Sequence, residues 1–435
     1  MRISFVFCPF QAVGFQNLWG VPLLFPCGHD IMGRLYKLFL APRPVLLSCG
    51  GKSMDIQDTL FALLRFKLCG SDWNGQTLSN EEMLSLFKLA QAHDMAHLAA
   101  ASLSDLGLLG EDAVSHGFRK ALFTSALRCE RLKLEADKIH SVLEGAGIDH
   151  MLLKGPVIRP YYPEEWMRLS CDIDFLVHEE DLEQAQSLLE AKLGYTTDDG
   201  KGVHHTSMHA PNGIHIEPHF CLREHSDPMD AVLDEVWQNC RLADGSAHRY
   251  EMQNEFLLFH LVAHMAYHFQ QGGCGIKPFV DLFLLKDRLA YDQAVFDDFL
   301  KRAGLDVFYS RMLDMIGIWF GSSPHNEMSR RIEDYVLRGG VYGTKTNQLA
   351  VQQEQAGSKL RQILKRIFMP YRTLKIKYPI LERYPILTPF FEVVRWINMV
   401  RKKRLKGYAK ELDVIVAMDK EKLAEINRLL KDVGL

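Results

Sequence analysis

Long apolar runs are missing from this chain of 435 residues, so no helical membrane span is expected. The most apolar stretch near its start, Ile3 to Phe15, contains Pro9 and Gln11, is too short to span a bilayer and lacks a small-residue cleavage site. Internal repeats and low-complexity tracts are absent, which excludes solenoid and fibrous architectures. The nine cysteines never fall at C-x-x-C spacing, which argues for free thiols in a reducing, cytoplasmic setting. Neither charge sign dominates: 51 Lys and Arg face 54 Asp and Glu, a net of -3 that selects no class of partner. What is present is globular, with 47% hydrophobic and 24% charged residues. The length suggests two or three domains.

The most informative stretch is Arg168-Leu-Ser-Cys-Asp-Ile-Asp-Phe-Leu-Val177. Asp172 and Asp174 flank one apolar residue in a run of strand formers. Side chains at i and i+2 of a strand share a face, with Cα atoms about 6.5–7 Å apart. Two carboxylates so placed repel each other unless a cation joins them. Mg²⁺ takes a few carboxylates together with water and substrate phosphates, so the spacing points to phosphoryl or nucleotidyl transfer. A lone D-x-D pair is also a common solvated surface pattern, so the flanking sequence decides its weight.

Upstream, Ile148-Asp-His-Met-Leu-Leu-Lys-Gly155 reads as a strand ending in Lys154-Gly155, and Pro156 to Tyr162 as a short helix. Lys154-Gly155 is either an ordinary strand-end turn or a phosphate site, in which glycine lets a phosphate approach backbone N–H groups and Lys154 adds a point charge for a triphosphate. Arg168 either binds phosphate or pairs with Asp172 or Asp174. Ser170 either binds phosphate or caps the strand. Downstream, after a helix expected over Glu179 to Leu193, Ile214 and Ile216 alternate with His215 and Glu217, the pattern of a half-buried strand. Glu217 can therefore lie beside the aspartates as a third carboxylate.

Lys154-Gly155, Arg168, Ser170, Asp172-x-Asp174 and Glu217-x-His219 together resemble the polymerase-β-like nucleotidyltransferase superfamily. More narrowly, they are similar to a bacterial branch of uncharacterised nucleotidyltransferases, in which Lys-Gly stands for the more usual Gly-Ser. Leu89-Ala-Gln-Ala-His93, His260 to His268 and Lys277-Pro-Phe-Val-Asp281 extend the likeness over roughly residues 80 to 290. Glu217 stands where an aspartate is commoner. The resemblance implies metal-dependent transfer of an NMP group from an NTP such as ATP to a hydroxyl-bearing acceptor, which is a small molecule, a peptide, a tRNA or a protein. It further implies Mg²⁺ or Mn²⁺ on Asp172, Asp174 and Glu217, and nucleotide binding by Lys154, Gly155, Arg168 and Ser170. Two other readings stay open: a catalytically silent nucleotide-binding or interaction protein on the same fold, and a zinc-dependent hydrolase.

The hydrolase reading rests on histidines. His260, His264 and His268 recur every fourth residue and share one helix face. With His204, His205, His209, His215 and His219 they either bind zinc or line a polar cleft, and no H-E-x-x-H pattern occurs. Asp281 either orients one of them or caps a surface helix. The pattern as a whole predicts an α+β fold: a small mixed sheet carrying the site, with helical domains on both sides. Residues 1–53 read as a disordered or misassigned extension, 54–146 as a helical domain and 147–250 as the catalytic core. Within the helical domain Ser79-Asn-Glu-Glu82 is a capping-box signature, and Ser115 to Gly145 reads as one long helix with Phe118, Leu122, Leu127, Leu132 and Leu134 on its apolar side. Residues 251–350 read as a helical domain lining the cleft, and 351–435 as a basic helical region. Between 359 and 410, fifteen Lys or Arg stand against two acids, interleaved with aromatics and densest at Arg401 to Arg404. This segment is either a solvated helix face or a contact for RNA or an anionic membrane surface.

Overall fold

The computed structural model describes residues 55–73, 77–198, 204–224, 227–341, 378–401 and 420–435, with shorter pieces between 343 and 375. The extension 1–53 and most of the basic segment 359–410 lie outside the described residues. Among the described residues no helix is long and apolar enough to cross a membrane.

Capping chemistry sets the first helices. Helix α1 (Ile56–Cys69) begins at Asp55, whose carboxylate accepts from the Ile56 amide at 2.6 Å, and stops at Gly70 with φ 69°. Helix α2 (Asn80–Ala92) opens on the expected capping box between Ser79 and Glu82. After α3 (Ala96–Asp105), α4 (Ala113–Glu144) runs for 32 residues from its Asp112 cap. It buries Phe118, Leu122, Cys129, Leu132, Ala136, Ile139 and Leu143. Leu134, which the sequence reading places on the apolar side, is 42% exposed. The buried stripe keeps its helical period through Ser125, Ala126 and Ala136, small residues that carry little apolar signal.

The chain then enters a five-stranded mixed sheet in the spatial order β1-β2-β5-β4-β3. Its strands are β1 (His150–Leu152), β2 (Asp172–Val177), β3 (Thr196–Thr197), β4 (Met208–His209) and β5 (His215–His219). Helix α5 (Gly155–Ile158) follows β1, and α6 (Leu182–Leu193) joins β2 to β3. Strands β2 and β5 run parallel, and the other neighbours are antiparallel. Strands β3 and β4 have two residues each, too few for a period-2 pattern to be visible in sequence. Beyond α7 (Asp227–Leu233) a small hairpin pairs β6 (Cys240–Leu242) with β7 (Tyr250–Met252). The chain continues as helices α8 (Asn254–Gln270), α9 (Lys277–Lys286), α10 (Gln293–Ala303), α11 (Asp306–Trp319) and α12 (Glu327–Gly339). The α+β class with a small mixed sheet and helical flanks is what the sequence pattern predicts.

The pleat sorts the side chains. Ile173, Phe175 and Val177 join Met208 and Ile216 in one core with Leu132 and Ile139 of α4 and Leu182 and Leu189 of α6. Alternation therefore turns Asp172 and Asp174 to the opposite face. One polar group ties α4 to the sheet end. The Glu135 carboxylate, on a residue only 2% exposed, accepts from Tyr195 OH at 2.6 Å, Asn212 Nδ2 at 2.7 Å and Lys138 Nζ at 3.1 Å. Removing it leaves the buried Tyr195 hydroxyl unpaired, which costs about 1–3 kcal/mol, while the exposed Asn212 and Lys138 turn to water. Glu135→Ala should therefore lower stability by roughly 1–3 kcal/mol in urea unfolding, and Glu135→Gln by clearly less, because the amide oxygen still accepts.

Candidate active site

The site is assembled by strand register. Across the parallel β2–β5 pair, Asp172 stands opposite His215 and Asp174 opposite Glu217. Asp172, Glu217 and His215 each place one donor atom within 4.8 Å of the other two. Asp174 is 4% exposed and accepts from His219 Nε2 at 3.1 Å, with Lys154 Nζ at 3.4 Å. Glu217 lies between histidines: Oε1 is 3.4 Å from His215 Nδ1, and Oε2 is 3.7 Å from His219 Nε2.

Lys154 reaches this cluster because the turn after β1 is held tightly. The Leu153 amide donates to the Asp174 carbonyl at 3.0 Å, and Lys154 itself adopts φ 49°, rare for a residue with a side chain. Gly155 follows because nothing larger fits: a Cβ there would lie 2.2 Å from Ser170 Oγ. Burial works against the Lys154 charge, but Asp174, Glu224, Glu217 and Asp172 outweigh it and raise its pKa.

The repulsion between the two aspartates is not shared equally. Burial, Asp174 and Glu217 all raise the Asp172 carboxyl above the ordinary range. Asp174 is buried too, yet Lys154 and the His219 hydrogen bond hold it below that range. Asp172 thus carries the unrelieved charge of the cluster.

A family model described as an uncharacterised nucleotidyltransferase matches residues 79–321. The chain belongs to this nucleotidyltransferase family. Comparison with curated proteins and with solved structures gave no match. Family membership supports nucleotidyl transfer as the class of reaction, with an NTP as substrate. Nucleotidyltransferases generally use a divalent metal, and this chain has acidic and histidine groups placed to hold one.

The matched span includes the helices that close the cleft, a space of about 410 Å³ lined by the motif residues and by side chains of α8 and α9. Sequence reading leaves Arg168 between a phosphate and either motif aspartate. In the structure its guanidinium instead forks onto Asp281, with Nε 2.9 Å from Oδ1 and Nη2 2.8 Å from Oδ2. Its Nη1 donates to Ser170 Oγ at 3.1 Å, so Ser170 is held by Arg168. Asp281 is neither a surface cap nor a partner of the α8 histidines: it is 1% exposed and also accepts from Tyr162 OH at 2.6 Å. His97 and Ser125 reinforce the same loop through the Met167 and Trp166 carbonyls, at 2.8 and 2.9 Å.

The α8 histidines line the cleft but engage one another. His264 Nδ1 lies 2.8 Å from Glu224 Oε1, and its Nε2 3.0 Å from His268 Nε2. Among the described residues no three-donor metal group includes His260, His264 or His268. Burial pushes His260 down to about 3, His268 to about 4 and Glu224 up to about 7. Sequence reasoning missed Glu224, Tyr162 and the cleft position of Lys277. Glu224 had one weak signal: it is an acid in the short segment after β5, the strand that carries Glu217 and His219.

Two tests follow from this geometry. Breaking the buried Arg168–Asp281 pair from one side leaves a charge uncompensated, at about 3–5 kcal/mol. Arg168→Met and Asp281→Leu should each cost that much in urea unfolding, and the double variant less than the sum. The pH test concerns His260, whose folded pKa of about 3 lies below the ordinary value near 6.5. Between these values the unfolded chain binds the extra proton, so this contribution is full above about 6.5 and is lost as pH falls through that window. Melting temperature should drop between pH 7 and pH 4, and His260→Phe should flatten the slope.

Proposed function

We propose that the protein moves an NMP group from an NTP to a hydroxyl-bearing acceptor, with Asp172, Asp174 and Glu217 as the carboxylates that hold Mg²⁺ or Mn²⁺. The observation that carries this reading is the parallel register of Asp174 with Glu217, which sets three carboxylates on one sheet face. The donor set fits a hard divalent cation: Asp172, raised by burial and by its two acidic neighbours, is the group whose charge lacks compensation. A bound divalent ion there would neutralise triphosphate charge and stabilise the leaving pyrophosphate.

The chain's own groups supply the rest by position rather than covalent chemistry. Lys154 keeps its charge at the rim of the carboxylate cluster and offers it to the triphosphate. Gly155 lines the cleft, and its lack of a side chain makes room for Ser170 Oγ beside it. Arg168 acts through Ser170 and Asp281, holding the loop before β2 against α9. His219 orients Asp174 by its hydrogen bond. The cleft between the sheet and α8 is where an acceptor would present its hydroxyl.

The experiment is transfer of label from each NTP in the presence of Mg²⁺, with identification of the labelled product. Asp174→Asn should reduce transfer about a thousandfold or more, roughly 4 kcal/mol of transition-state stabilisation. The metal-free melting temperatures should move in opposite directions. Asp172→Asn removes a charge that the folded protein disfavours and should raise Tm. Asp174→Asn removes one held by Lys154 and His219 and should lower it. Full transfer activity in Asp174→Asn, or transfer independent of divalent metal, would refute the reading.

A further inference from the structure

We propose that His205, His219 and Glu217 form a second, nitrogen-rich cation site that takes a transition-series divalent metal such as Zn²⁺ in preference to Mg²⁺. The inference deepens the proposed function and rests on it, since Glu217 belongs to both donor sets.

Three observations carry it. First, one donor atom from each of the three residues lies within 4.8 Å of the other two. Glu217 Oε2 is 3.7 Å from His219 Nε2 and 4.0 Å from His205 Nε2. Three donors about 2.0–2.1 Å from a tetrahedral ion lie roughly 3.4 Å apart, so small side-chain rotations close the set.

Second, the backbone builds the arrangement. His205 faces His219 across an antiparallel bridge. The Thr206 amide donates to the Pro218 carbonyl at 2.9 Å, and the Phe220 amide to the His204 carbonyl at 3.1 Å. The two imidazoles are thereby held with ring centroids 5.1 Å apart. His219 is 4% exposed, and its Nδ1, like that of His205, has no hydrogen-bond partner among the described residues. The nitrogens turned to Glu217 are the Nε2 atoms of both rings, and their lone pairs are what a cation on this side would use.

Third, the two oxygens of Glu217 face different donors. Oε1 is turned to His215, in the group that contains Asp172, and Oε2 to His205 and His219. Glu217 is placed to bridge an oxygen-rich site on the aspartates and a nitrogen-rich one beyond them. Mg²⁺ favours all-oxygen surroundings, whereas imidazole suits Zn²⁺, Fe²⁺ and Ni²⁺. The donor chemistry therefore separates the two positions by metal type. Binding moves His219 Nε2 from Asp174 to the cation, and Asp174 keeps Lys154.

The test is calorimetric titration of the full chain with Zn²⁺ and separately with Mg²⁺, on wild type, His205→Ala, His205→Gln and Asp172→Asn. Circular dichroism establishes that each variant is folded. Zn²⁺ should bind once per chain, and both His205 substitutions should weaken it by about tenfold or more. Mg²⁺ affinity should be unchanged by them and should fall in Asp172→Asn. X-ray absorption of the zinc-loaded wild type should show two imidazole nitrogens, a readout that survives if a variant does not fold. No Zn²⁺ binding, Zn²⁺ binding indifferent to His205, or a zinc shell without two imidazoles would overturn the site. Each of those results, alongside Mg²⁺-dependent transfer that Asp174→Asn abolishes, would leave the nucleotidyl-transfer reading standing. Loss of that dependence would remove both.

Discussion

The site depends on one backbone constraint, the parallel pairing of β2 with β5. Its register places Asp174 beside Glu217 and Asp172 beside His215. Because side chains alternate with period two, a one-residue slip would turn Glu217 and His219 into the core and Ile216 into the cleft. The apolar face guards against that slip. Ile173, Phe175, Val177 and Ile216 are all fully buried against α4 and α6, so the register that buries them also gathers the acids. Packing on one face thus pins the chemistry of the other.

Gathering acids stores repulsion, and the surroundings distribute it unevenly. Lys154 and His219 converge on Asp174 and leave Asp172 with the excess. Burial also drives His260, His264 and His268 below their ordinary values and Glu224 up to about 7, so each of these groups in the cleft wall is disfavoured as an ion. The strong pair of the region, Arg168 with Asp281, lies outside the carboxylate cluster. It fastens the loop before β2 to α9, and Tyr162 completes the carboxylate's hydrogen bonds. Such a pair gives geometry more than stability, since its desolvation offsets much of its attraction.

Nitrogen donors distinguish this cleft from a purely carboxylate one. His205, His215 and His219 all reach Glu217, and two of the three stand on the same strand as it does. That arrangement follows from period two on β5: residues 215, 217 and 219 share a face by necessity. The third histidine arrives only because residues 204–206 hydrogen-bond along the end of β5.

By itself the sequence determined the local events. The capping box at Ser79 and the helix over α6 were legible because each depends on neighbours within a few residues. So were the strands carrying Asp172, Asp174 and Glu217, and the face those residues share, since pleat and period are local properties. The stripe of α4 was partly misread at Leu134, because small buried residues are apolar only through what covers them. Tertiary structure alone decided the partners. Arg168 meets Asp281 across 113 positions of sequence, and no local rule connects a loop before β2 with a helix beyond α8. Likewise, nothing near Glu224 announces His264, and nothing near His205 announces Glu217. Long-range pairing and burial set those contacts, and with them which carboxylate is stabilised as an anion and which is disfavoured as one.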